Sequence, residues 1–157
     1  MGKSIQRERD PYFVWRGSLT AEAMRRMAMA GELPGCPPVG YRNGRDGNRK
    51  TVETDLISAA LVRELFELAA STDFPVRKLL AVMRERGLRS RAGNPIGVSG
   101  LYGVLRNPFY CGKVEYGGET FNGKHEPLIS KALFDEVRAK LASRRRCLRR
   151  TALWLPD

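Results

Sequence analysis

Between Ile96 and Ser130 the sequence changes its period part-way, and that change narrows the folds open to the chain more than any other feature. Val98, Leu101, Val104 and Leu105 fall at helical spacing. The helix has to end at Arg106, because Pro108 disfavours α geometry at Asn107 and has no amide proton to give. Past the proline the pattern is β. Lys113, Val114, Glu115 and Tyr116 stand on one side of Gly117-Gly118, and Glu119, Thr120, Phe121 and Asn122 on the other, so a glycine turn joins two short strands. A short helix followed by a hairpin predicts a mainly α domain with a small β-hairpin (α+β), organised as a helix-turn-helix-like unit.

The remaining periodicity supplies the other helices. A first runs from Thr20, a possible cap, through Met24, Met27 and Ala28 on one face, to a stop at Gly31. Gly31 to Gly47 reads as loop, and Arg45 to Lys50 as a polar, basic, exposed run. Thr54 or Asp55 caps a second helix whose core stripe is Ile57, Leu61, Leu65 and Leu68, widened by Val62, Phe66 and Ala69. Pro75 opens a third in its first turn, with Val76, Leu79, Leu80 and Met83 inward and Gly87 at its end. Ser130 caps a last helix carrying Leu133, Val137 and Leu141.

The third helix, the basic loop Leu88 to Pro95 and the short helix after it give helix, elongated turn, helix. If the apolar residues of the short helix face the core, Ser99, Tyr102, Gly103 and Arg106 face out. An Arg suits bidentate contact with guanine, and hydroxyls suit bases or phosphates. Gly97, Gly100 and Gly103 each weaken a helix by up to about 1 kcal/mol relative to Ala. They imply a segment held by packing, one that orders on DNA, or one that lets a backbone approach closely.

The chain has 157 residues, with 28 Lys and Arg against 17 Asp and Glu, a formal net charge of +11. That length buries a core without disulfides. That charge favours a polyanion, because Lys and Arg neutralise phosphates and release condensed counterions. Cys36, Cys111 and Cys147 never approach Cys-x-x-Cys spacing, and His125 is the single histidine, so no metal site and no cofactor site is expected. No apolar run is long enough for a membrane span, which points to a cytoplasmic protein with no membrane partner.

Four ordered landmarks resemble the recombinase domain of large serine recombinases, the integrases and transposases. These are Pro38-Val39-Gly40-Tyr41-Arg42-Asn43-Gly44, Leu61 to Ala69, Leu105 to Val114 and Gly123 to Ser130. The resemblance implies a DNA-binding domain at residues 20–143, preceded by an arm at 1–19 with the aromatic patch Tyr12, Phe13 and Trp15, and followed by a basic tail at 144–157. It implies double-stranded DNA as partner, attachment sites as targets, a bacterial or phage origin, and a catalytic recombinase subunit or a second copy met on DNA. Arg25 and Arg26 become phosphate contacts or a solvated helix face. Tyr41, Arg42 and Asn43 become a DNA-facing loop or a packing corner. Ser99, Tyr102 and Arg106 of the short helix become the groove-reading set, Arg89, Ser90 and Arg91 in the basic loop become phosphate anchors, and Lys113 lies at the backbone or is simply exposed. His125 becomes a structural residue before Pro127.

Relatives of this kind carry an N-terminal catalytic domain with a Ser nucleophile, a Cys-rich zinc ribbon and a coiled coil, and none is expected within this sequence. Cleavage needs a nucleophile beside groups that stabilise the phosphoryl transition state, and the serines here fall in caps, loops and an exposed helix face. No catalytic residue is therefore expected, and no activity from the chain alone. A repressor or accessory factor, or a remnant that binds nucleic acid non-specifically or contacts a protein, remains an alternative. Arg138 to Arg150 holds seven basic residues and no acidic one, a DNA-backbone tail or a disordered polyanion-binding end.

Overall fold

A computed structural model describes residues 11–151, with side chains for residues 20–144 other than Arg49. The aromatic patch at Tyr12, Phe13 and Trp15 and the side chains beyond Arg144 lie outside what it describes. The elements are α1 (Pro11–Met29), β1 (Tyr41–Asp46), β2 (Arg49–Thr54), α2 (Leu56–Ser71), α3 (Val76–Glu85), α4 (Val98–Arg106), β3 (Lys113–Tyr116), β4 (Glu119–Asn122) and α5 (Lys131–Thr151). Each strand pair is a separate two-stranded antiparallel sheet. The mainly helical α+β class stands.

The core is one cluster drawn from α2, α3, α4 and α5 and from the segment after α4. Phe66 of α2 tilts against Tyr110 at 5.7 Å and against Phe134 of α5 at 6.3 Å between ring centroids. Tyr110 is fully buried. Its hydroxyl donates to the Val39 carbonyl at 2.7 Å, and its own carbonyl accepts from the amides of Leu128 and Ile129. One residue therefore ties three distant chain segments together, and burial pushes its phenol pKa up.

Helix ends follow local chemistry. α1 and α3 both finish with a glycine at positive φ, Gly31 at 79° and Gly87 at 89°. In each case the two amides past the cap turn back onto carbonyls of the last turn: Gly31 on Ala28 with Glu32 on Met27, and Gly87 on Arg84 with Leu88 on Met83. α4 stops at Arg106 as Pro108 requires, and Asn107 Oδ1 caps the 3-10 turn Pro108–Cys111 through the Phe109 amide at 3.0 Å. The Ser130 hydroxyl accepts from the Leu133 amide at 3.2 Å and so caps α5.

Four expectations are corrected. α1 begins at Pro11, so Thr20 lies inside a helix and not at its N-cap. Tyr41 to Gly47, expected as the end of a loop, are the first strand and turn of a hairpin, because backbone pairing from Tyr41↔Thr54 to Asp46↔Arg49 around Gly47-Asn48 supplies the ladder without apolar alternation. Pro75 is the N-cap of α3, one position before its first turn. Ile57 is 79% exposed, because the first turn of α2 extends past the helices that cover it; the buried face starts at Ala59 and continues through Val62, Leu65, Phe66 and Ala69.

Candidate nucleic-acid interface

α4 is held as a rigid ledge. Leu101, Val104 and Leu105 bury its inner face, while Val98 is partly exposed at 37%. Its entry is fixed from α3: Arg84 donates Nε and Nη2 to the Ile96 carbonyl at 2.9 and 2.8 Å. Between the two helices the chain makes a closed turn. Arg89 bridges Pro95, Ser90 N–H donates to the Asn94 carbonyl, and the Ser90 hydroxyl accepts from the Asn94 amide at 3.2 Å.

On the outer edge Ser99, Gly103 and Arg106 are exposed, and Tyr102 is half-buried against the core. The Arg106 guanidinium lies 5.1 Å from the centre of the Tyr102 ring, which favours the cation there and orients it along the helix edge. A Cβ built at Gly97 or Gly103 meets nothing within 4 Å, and at Gly100 it meets only Ile96 Cγ2 at 3.0 Å. The described part of the chain therefore does not need glycine at 97 or 103 to make room for itself. Arg89 and Arg91 stand exposed in the turn that leads into α4, whereas Ser90 is spent on holding that turn.

The other sequence candidates divide by partner. Arg25 donates from Nε and Nη2 to one carboxylate oxygen of Glu119, fastening α1 to β4. Arg26 pairs with Glu22 one turn back, Arg42 with Glu53 across the β1–β2 ladder, and Lys113 with Asn122 across β3–β4. Asn43 is exposed on β1. Tyr41 is 5% exposed and donates its hydroxyl to the Glu126 carbonyl at 2.7 Å, which makes it the packing corner and leaves its polar group nothing to offer a groove.

His125 serves the same corner. Its ring stacks on Phe109 at 3.6 Å and 7°, meets Tyr41 edge-on, and its Nε2 approaches the Phe109 carbonyl at 2.5 Å. A carbonyl only accepts, so Nε2 carries the proton. Burial holds the imidazole pKa below its ordinary value. Among the described residues no three His, Cys, Asp or Glu side chains gather as a metal site would need. No helix there is long and apolar enough to cross a membrane.

The Recombinase family matches residues 57–144, more than half of the sequence and nearly all of α2 with α3 and α4 entire. The chain belongs to the Recombinase family. Two solved structures share the fold of this recombinase domain. One, described as a crystal structure of an LSR–DNA complex, has a TM-score of 0.63 and 20% identity over 78% of this chain and 37% of its own. The other, described by the sequence requirements of the Listeria innocua prophage attP site, has a TM-score of 0.66 and 18% identity over 79% of this chain and 51% of its own. The recombinase domain thus spans about a third to a half of those longer chains. No curated protein matches it.

Sequence reasoning missed Arg84, because a helical arginine carries no mark of the carbonyl it will clamp. It reads Arg45 to Lys50 as basic and exposed but misses that this run is the tip of a hairpin, for which Gly47-Asn48 between two strands of polar and basic residues was the available signal.

Proposed function

We propose that this recombinase domain binds double-stranded attachment-site DNA for site-specific integration or recombination, with α4 in the major groove. The observation that carries the reading is the outer edge of α4, where Ser99, Gly103 and Arg106 are exposed on a helix immobilised by Arg84 and entered through the exposed Arg89 and Arg91. Such a helix presents one Arg for a base edge and a glycine where the groove wall comes close. The net charge of +11 provides the sequence-independent attraction. Of the two solved structures of the same fold, one is described as an LSR–DNA complex and the other by the sequence requirements of a prophage attP site. In this reading the domain works in the cytoplasm on chromosomal or phage DNA, the strand chemistry belongs to a catalytic recombinase unit, and self-association on paired half-sites aligns two copies.

Selection of bound duplexes from a randomised pool at about 0.15 M salt, where surface charge is already screened, tests this directly. The expected result is one enriched half-site motif, and Arg106→Ala relaxes it at one position. Binding that enriches nothing and fades steeply with salt would leave a basic module without readout.

A further inference from the structure

The β1–β2 ribbon has two electrically different faces. Side chains alternate across a strand, so the register puts Arg42 with Glu53 and Gly44 with Thr51 on one face. Tyr41 with Thr54, Asn43 with Val52 and Arg45 with Lys50 occupy the other. On the first face the charged pair is of opposite sign: Arg42 Nη2 lies 3.1 Å from the Glu53 carboxylate. The second face docks at its base, through buried Tyr41 and partly buried Val52, and then runs out past the core.

At that outer end two cations, Arg45 and Lys50, are cross-strand partners. Both are exposed, and neither makes a hydrogen bond or ion pair within the described residues. Like charges directly opposite each other destabilise a ladder. Nothing in the fold requires the pairing, since an acid at either position would complete an ion pair of the kind Arg42 makes on the opposite face. An anion placed between the two cations converts the repulsion into attraction on both sides. A phosphodiester fits that role: it is singly charged, it offers two free oxygens, and it suits both the forked donors of Arg and the compact charge of Lys.

We infer that the tip of the β1–β2 ribbon is a phosphate-contact site, where Arg45 and Lys50 together hold the backbone of duplex DNA. The inference rests on the DNA-binding reading above, and it adds a contact that lies before the residues matched by the family, 57–144. It gives the protein a second anchor that is independent of α4 and blind to base sequence.

Ethylation interference on the enriched duplex, with the full chain and with the double variant Arg45→Gln/Lys50→Gln, tests it. One or two adjacent phosphates whose ethylation blocks the parent protein should become indifferent in the variant, while the remaining pattern persists. The slope of log affinity against log salt should fall by about 0.9 for each phosphate the variant no longer neutralises. Thermal melting of the variant should be no lower than the parent's, and Arg45→Glu, which offers Lys50 an acid across the ladder, should melt higher and release the same phosphates. An unchanged interference pattern and slope would overturn the phosphate site while leaving the DNA reading in place. A parent protein that shows no interference on any duplex would remove the DNA reading, and this inference with it.

Discussion

The two hairpins are built on opposite plans. β3–β4 is stitched down at both ends: Val114 is fully buried, the Gly123 amide donates to the Gly112 carbonyl, the Lys124 amide donates to Gly31 at the end of α1, and Arg25 grips Glu119 near the turn. Among the described residues β1–β2 is secured only at its base, where Tyr41 is buried, Asp55 N–H donates to Gly40, and Thr54 reaches the Glu126 carboxylate. Beyond that base, Arg42, Asn43, Arg45 and Lys50 are all exposed, with Gly44 half-buried among them. A hairpin stitched at both ends serves as scaffold, and one held at a single end is an arm whose side chains are free for a partner. Sheet content alone therefore does not say which strand pair supports the fold.

Five measurements would break or sharpen this contrast. The largest effect is expected at the seat of β3–β4: Tyr110→Ala removes a fully buried ring and should cost about 3–5 kcal/mol in urea unfolding. A loss below about 0.5 kcal/mol, on the order of a surface change, would mean that the seat is not where the fold is held. Gly123→Ala comes next, because a Cβ there would overlap the His125 ring. Overpacking of that kind costs roughly 1–3 kcal/mol, and His125→Ala in the same chain should recover part of it.

A smaller effect is expected from pH. The folded His125 ring titrates below its ordinary 6.5 because burial favours the neutral form. As pH drops below 6.5 the unfolded chain takes up a proton that the folded ring refuses, so stability present at neutral pH declines until the folded ring also protonates. Urea midpoints compared between about pH 7.5 and 5 should show the decline, and His125→Gln should flatten it. A decline of equal size in the variant would assign it to other groups. The smallest effect belongs to the arm: Thr51→Ala in β2 should change stability by no more than about 0.5 kcal/mol. Hydrogen exchange should show β1–β2 amides opening locally while β3–β4 amides exchange only with global unfolding.

What can be read from sequence follows the same division. β3–β4 is legible to the residue because Gly117-Gly118 stands between apolar and aromatic positions, and α4 because a proline terminates it. β1–β2 is not, since Tyr41 and Val52 are its only apolar anchors and backbone pairing leaves no hydrophobic signature. At the interface the exposure of Ser99 and Arg106 follows from helical spacing, whereas Tyr102, expected on the same outer edge, is drawn half into the core. What decides between the two readings of Tyr41 is equally hidden, because its partner Glu126 lies 85 residues away. So is the start of α1 at Pro11, for residues 11–19 carry no clear amphipathic stripe.

The double donation from Arg84 to the Ile96 carbonyl sets how the chain tolerates change in length. That clamp lies after the turn that Arg89, Ser90, Asn94 and Pro95 close among themselves. Residues inserted between Ser90 and Asn94 are absorbed before the clamp, so they lengthen the loop without rotating the helix that follows. The loop is thus a place where reach can be altered while aim is preserved, and a designer grafting new specificity onto this scaffold can vary the two separately.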